Sequence, residues 1–115
     1  MDMTELSQGR CVPCRGGDPR LTEAEIAGLH PQVADWQILE VEGIQRLQRV
    51  FKFKNFTQAL DFANRVGAIA EEQDHHPMLI VEWGRVTIQW WTHAVKGLHQ
   101  NDFIMAAKTD EIFSR

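Results

Sequence analysis

The clearest periodicity lies mid-chain, where Phe56, Ala59, Leu60, Ala63, Val66 and Ala70 recur every three or four positions. That spacing gives one apolar stripe on a helix, with Asn55 as its N-cap and Asp61 and Arg65 paired on the outer face. Pro77 holds His76 in extended backbone, so this helix has to end near Asp74 or His75. Upstream, residues 36–41 and 44–54 read as two strands about a turn at Gly43. Phe51-Lys52-Phe53-Lys54 alternates at the two-residue period of a sheet. Downstream, Met78–Glu82 and residues 86–92 are β-rich runs flanking Trp83-Gly84-Arg85, a second hairpin. Thr22 and Glu25 form a capping-box pattern for a short helix carrying Leu21, Ile26 and Leu29, stopped by Pro31. A last helix runs from Asn101 or Asp102 to Phe113. The order α-β-β-α-β-β-α predicts an α+β fold, a two-layer sandwich whose four-stranded antiparallel sheet carries helices on one face.

Composition narrows the class. The chain has 115 residues, 43% hydrophobic and 24% charged, which suits a single globular domain over 21–115 behind a polar leader over 1–20. A formal charge of −4 argues against a general nucleic-acid binder, which needs clustered basic surface. The longest aliphatic run, Met78-Leu79-Ile80-Val81, is far short of the ~20 residues of a membrane helix. The leader, with Asp2, Glu5 and Arg10, lacks the apolar core of a secretion signal, so a cytoplasmic location is expected. Cys11 and Cys14 form a Cys-Val-Pro-Cys motif with no second pair to complete a four-ligand zinc site. Nor does the motif open a helix, as a redox pair would. It is assigned no role.

The second hairpin gathers candidate chemistry. A turn centred on Gly84 sets Ile80 opposite Ile88, Met78 opposite Trp90, His76 opposite Thr92 and His75 opposite His93. Opposed residues lie within ~5.5 Å at Cα, so the imidazoles could share one site, although a one-residue slip would redirect them. Glu71 precedes His75 by one helical turn and is placed to orient its ring. Asp74 and Asp102 supply further carboxylates. Imidazole gives or accepts a proton near neutrality, so three histidines among acids suit acid–base chemistry. Three other readings stay open on the residues alone: a solvated helix junction at His75-His76, a surface His93, and a three-histidine zinc site. The zinc reading has adjacent histidines pointing apart on regular backbone against it. Trp90 shares a strand face with Val86 and Ile88 and is expected to pack in the core, as are Trp36 and Trp83 in core or edge positions. Trp91 alternates to the face of Thr87, Gln89 and His93, where it could wall a flat ligand or seal a subunit contact.

Three ordered blocks carry a family resemblance: Glu71-Glu-Gln-Asp-His75-His76-Pro77, Trp90-Trp91-Thr92-His93, and Gly97-Leu98-His99-Gln-Asn-Asp102. Together with Trp36 and Phe51-Lys52-Phe53-Lys54-Asn55-Phe56, they resemble pterin-4a-carbinolamine dehydratase over residues 21–115. The bacterial members associated with phenylalanine hydroxylase are the most similar. The resemblance implies elimination of water from 4a-hydroxytetrahydropterin to give quinonoid dihydropterin. That step recycles the cofactor of aromatic amino acid hydroxylases and needs no metal or organic cofactor. It implies His75 and His93 as acid and base, and His76 as the group that holds and polarises the pterin. Asp74, Trp91 and Thr92 would join the three histidines in substrate binding, with Glu71 and Asp102 in support.

The resemblance also implies a homodimer or homotetramer, for which Leu79, Val81 and Trp91 would offer apolar surface on the less covered sheet face. Neither nucleic acid nor membrane is expected as a partner. Where animal members carry Glu-Trp after His-His-Pro, this chain has Met78-Leu79. Where they carry Ser-Thr-His, it has Trp91-Thr92-His93. Animal relatives also partner a homeodomain transcription factor, and nothing in the shared motifs transfers that role. Two alternatives from other classes remain: a regulatory protein-interaction module, and a metal enzyme using the histidine cluster.

Overall fold

The capping residues set the helix starts. In a computed structural model that describes residues 5–13 and 18–114, Thr22 and Glu25 form a reciprocal capping box ahead of α1 (Glu23–Leu29). At Pro31 the chain tightens into a 3-10 turn over His30–Val33 and enters β1 (Gln37–Val41). Glu42 and Gly43, both at positive φ, turn it back into β2 (Ile44–Lys52). The Asn55 side chain then accepts from the Gln58 N–H, capping α2 (Phe56–Gln73). The remaining elements are β3 (Met78–Glu82), β4 (Arg85–Trp90) and α3 (Gln100–Ser114). The strands form one antiparallel sheet in the order β1-β2-β4-β3. This is the expected α+β architecture.

Two expectations need correcting. The hairpin between β3 and β4 turns on two residues, Trp83 and Gly84, so Met78 opposes Gln89 and Ile80 opposes Thr87. The turn is held from outside the hairpin: Phe53 N–H donates to the Gly84 carbonyl at 2.8 Å. Within the strands each expected pairing thus shifts by one residue, while His75 and His76 precede the ladder and pair with neither His93 nor Thr92, which bridges to Gly97 instead. Leu79 and Val81 face the core opposite Ile88 and Val86, and Ile80 instead lies on the open sheet face, 44% exposed. The α2 stripe is also rotated. Phe62 is buried, and Phe56 and Leu60 are 45% and 42% exposed. Phe62 wins the inward place because Phe51, Phe53 and Phe113 surround it, with ring centroids 4.8, 5.1 and 5.7 Å away. Asp61 and Arg65 do pair on the outer face, at 3.1 Å.

The core lies between sheet and helices, around the buried Trp36, Phe51, Trp90 and Phe103. Trp36 Nε1 and Arg49 both donate to Asp110 on α3, at 2.8 and 2.7 Å. Burial pushes the Asp110 carboxyl above its usual value, against the lowering effect of Trp36 and Arg49. Trp83, by contrast, sits in its turn 73% exposed. The leader is not a free tail: Leu6 is buried in the core cluster, and Lys108 of α3 donates to the Ser7 carbonyl. Cys14 lies outside the described residues. Among the described residues no helix is long and apolar enough to cross a membrane.

Candidate functional site

Three chain segments meet at one end of the sheet. The first is the C-terminus of α2. His75 N–H donates to the Ala70 carbonyl and Asp74 N–H to that of Glu71, with Asp74 in the left-handed conformation at φ 52°. This is a Schellman closure, in which glycine usually takes the left-handed place. Here the position carries a carboxylate. The closure swings His75 off the helix axis, and Pro77 sends the chain on into β3.

The second segment follows β4. Thr92 and Gly97 exchange backbone hydrogen bonds, N–H to carbonyl at 2.9 and 3.4 Å, and close a small loop that begins with His93. The His93 ring lies 4.8 Å from that of Trp91. The third segment is the start of α3, capped by an unusual box: Asn101 N–H donates to His99 Nδ1, and His99 N–H donates to Asp102 Oδ2.

Asp102 joins all three. It is fully buried, accepts from Thr92 Oγ1 at 2.7 Å and His99 N–H at 2.9 Å, and its other oxygen lies 2.6 Å from His75 Nε2. That contact uses His75 Nε2 and leaves Nδ1 as the ring's other hydrogen-bonding atom. The ring is further fixed by stacking on Trp90, 5.7 Å away and 9° from parallel. The neighbouring His76 turns outward, its Nε2 2.5 Å from Glu71. The expected contact between Glu71 and His75 is therefore replaced by two: Glu71 meets His76, and Asp102 meets His75.

A cavity of about 310 Å³ opens between these segments, at the small end of the range for ligand pockets. Asp74, His75, His76, Thr92 and His93 line it. Of the other expected site residues, Asp102 lies behind the wall, fixing His75, and Glu71 lies outside, holding His76. Trp91 is not part of the wall, and its ring lies beneath the Arg46 guanidinium, 3.8 Å from the ring centre. Four lining residues escaped the sequence reading: Val12, Pro13, Ala94 and Asn101. The sequence marks Asn101 only as a possible helix start, and nothing in the leader's polar pattern marks Val12 and Pro13. Among the described residues, no three His, Cys, Asp or Glu side chains converge as a metal site.

Comparison with known proteins gives the same direction from several sides. The family model of pterin 4 alpha carbinolamine dehydratase matches residues 19–112. A Nitrosococcus oceani protein provisionally named a pterin-4-alpha-carbinolamine dehydratase is 58% identical over 110 residues, covering 96% of this chain and 97% of its own. One from Syntrophotalea carbinolica, with the same provisional name, is 56% identical and covers 96% and 98%. Among solved structures, the transcriptional coactivator/pterin dehydratase from Brucella melitensis is similar at a TM-score of 0.73 and 35% identity. That match covers 81% of this chain and 97% of the other.

Proposed function

The chain belongs to the pterin 4 alpha carbinolamine dehydratase family, and on that premise we propose that it dehydrates a 4a-hydroxytetrahydropterin to the quinonoid dihydropterin. The observation that carries the reading is a pocket in which His75, bonded through Nε2 to the buried Asp102, stands with His76 and His93.

The reaction breaks the bond from C4a to its hydroxyl oxygen and removes the proton from N5. A C4a–N5 double bond forms and water leaves. One group must protonate the departing oxygen while another receives the N5 proton. His75 and His93 come from different segments and serve as that acid and base. With Nε2 committed to Asp102, Nδ1 is the His75 atom left to exchange a proton with substrate. His76 holds and polarises the pterin, tethered by Glu71, and the Asp74 carboxylate and Thr92 strand end take part in binding. Trp91, off the cavity wall, belongs to the strand end through its backbone.

The natural role that fits this chemistry is return of a hydroxylase's spent pterin cofactor, in aromatic amino acid hydroxylation, toward its reducible form. We also assign self-assembly to the open sheet face. There Val50 and Ile80, 40% and 44% exposed, lie in one row on either side of Thr87. A monomer by sedimentation at micromolar concentration would remove that assignment. For the activity, the test is the breakdown of 4a-hydroxytetrahydropterin followed with and without the protein. The expected result is acceleration well above the spontaneous rate. No acceleration would overturn the reading.

A further inference from the structure

The leader reaches the pocket by a short strap. Cys11 N–H donates to Gln73 Oε1 at 2.9 Å, and Val12 N–H donates to Asn101 Oδ1 at 3.0 Å. Asn101 Nδ2 returns a bond of 2.7 Å to the Val12 carbonyl, so one side-chain amide grips both polar groups of a single backbone residue. Gln73 and Asn101 are themselves 9% and 2% exposed. They sit at the end of α2, two residues before His75, and at the start of α3, beside Asp102. The strap is therefore indexed to the same framework as the histidines.

The outcome is odd for a plain tail. Val12 is fixed by two hydrogen bonds to its backbone, yet the residue remains 56% exposed and lines the cavity together with Pro13. Apart from Ala94, every other lining residue is polar: Asp74, His75, His76, Thr92, His93 and Asn101. A flat heteroaromatic ligand needs apolar surface against its ring as well as polar groups at its edge. Strap and histidines divide those tasks.

We propose that the strap at Cys11, Val12 and Pro13 is a wall of the substrate site, with Val12 and Pro13 packing on the bound pterin. Gln73 and Asn101 are the positioning residues that hold the strap there. The inference rests on the pterin reading above and adds binding determinants outside the histidine blocks. It also gives a use to a leader that sequence reading set aside. Because the wall contacts substrate without moving a proton, it governs affinity and leaves turnover to the histidines.

The test uses the chain with Val12→Gly, Val12→Ile, Gln73→Ala and Gln73→Glu. Dehydration kinetics are paired with binding of a stable 6-methyl-7,8-dihydropterin, read by tryptophan fluorescence. Val12→Gly is expected to raise both KM and the dihydropterin Kd about fivefold to twentyfold, with kcat within twofold of wild type. Val12→Ile, which keeps an apolar side chain at the wall, should raise them less than Val12→Gly does. Gln73→Ala should raise KM through loss of the Cys11 tether, and Gln73→Glu, which retains an acceptor, should restore it. Amide exchange over residues 5–13 should slow when the dihydropterin binds. Wild-type activity and binding together with unchanged constants in Val12→Gly would overturn the wall alone. A wild-type protein that neither binds nor dehydrates pterins would overturn the wall and the pterin reading together.

Discussion

Two adjacent histidines, each paired with a carboxylate, sit in opposite surroundings. The side chains of His75 and Asp102 are 11% and 0% exposed, and those of His76 and Glu71 are 55% and 79% exposed. The inner carboxylate is committed to three donors from three segments, whereas Glu71 reaches only back from its own helix. An exposed pair of the outer kind is worth roughly 0–1 kcal/mol at most and rearranges readily. Inside, removing one partner strands the others. The inner pair thus fixes geometry and the outer pair leaves a histidine adjustable, which suits a proton-transfer group and a substrate-holding group respectively.

The severest way to break this contrast is to remove the histidines from both segments. His75→Ala and His93→Ala should each slow dehydration about 10²–10⁴-fold. The double variant should lose less than the product of the two, because the proposed mechanism has both groups serve one elimination. Saturation kinetics on variants shown to be folded by circular dichroism decide this. Wild-type turnover in the folded double variant would dismiss the assigned site.

Next in size is Asp102→Asn. An amide cannot accept from Thr92, His99 and His75 as the carboxylate does. Activity should drop about 10–100-fold or more, with stability down about 1–3 kcal/mol in urea melts. Retention of activity within twofold would show that the buried pair does not govern His75. His76→Ala should come third, raising KM more than it lowers kcat. Glu71→Gln should then be nearly silent for stability, within about 0.5 kcal/mol. A large kcat loss on Glu71→Gln would erase the distinction between the pairs.

The smallest effect concerns a partly buried carboxylate outside the pocket, Asp110. Asp110 has its folded-state carboxyl raised above 3.8, chiefly by burial. Between that value and the folded one, the native protein keeps a proton that the unfolded chain has released. The Asp110 contribution is therefore most favourable at low pH and declines as pH rises through the folded value. Urea midpoints of wild type against Asp110→Asn across this acid range should show that slope in the difference. The opposite slope would mean that Arg49 outweighs burial.

Local chemistry was legible in the sequence. Thr22, Glu25 and Asn55 cap the helices they mark, and the order of elements follows from the periods. What failed was decided at a distance. The β3–β4 register hangs on a bond from Phe53, which belongs to the other hairpin, and no local signal distinguishes a turn of two residues from one of three. Phe62 displaces Phe56 and Leu60 because partners from β2 and α3 surround it. Helical spacing points from His75 to Glu71, but the helix has already ended there, and the ring meets a residue 27 positions on. Val12 and Pro13 were invisible for the same reason, since their tethers, Gln73 and Asn101, belong to other elements.

The convergence of three segments on Asp102 also has a consequence in time. Its bonds span 3, 10 and 27 positions of chain, so the last of them closes only when α3 has docked beneath the sheet. Contacts of long sequence separation are slow to form and seldom precede the folding barrier. Competence to turn over substrate should therefore return in step with the slowest structural phase on refolding, with no active intermediate before it. On unfolding, activity and helical signal should vanish at one denaturant concentration, because a partly folded chain has no carboxylate in place to aim His75.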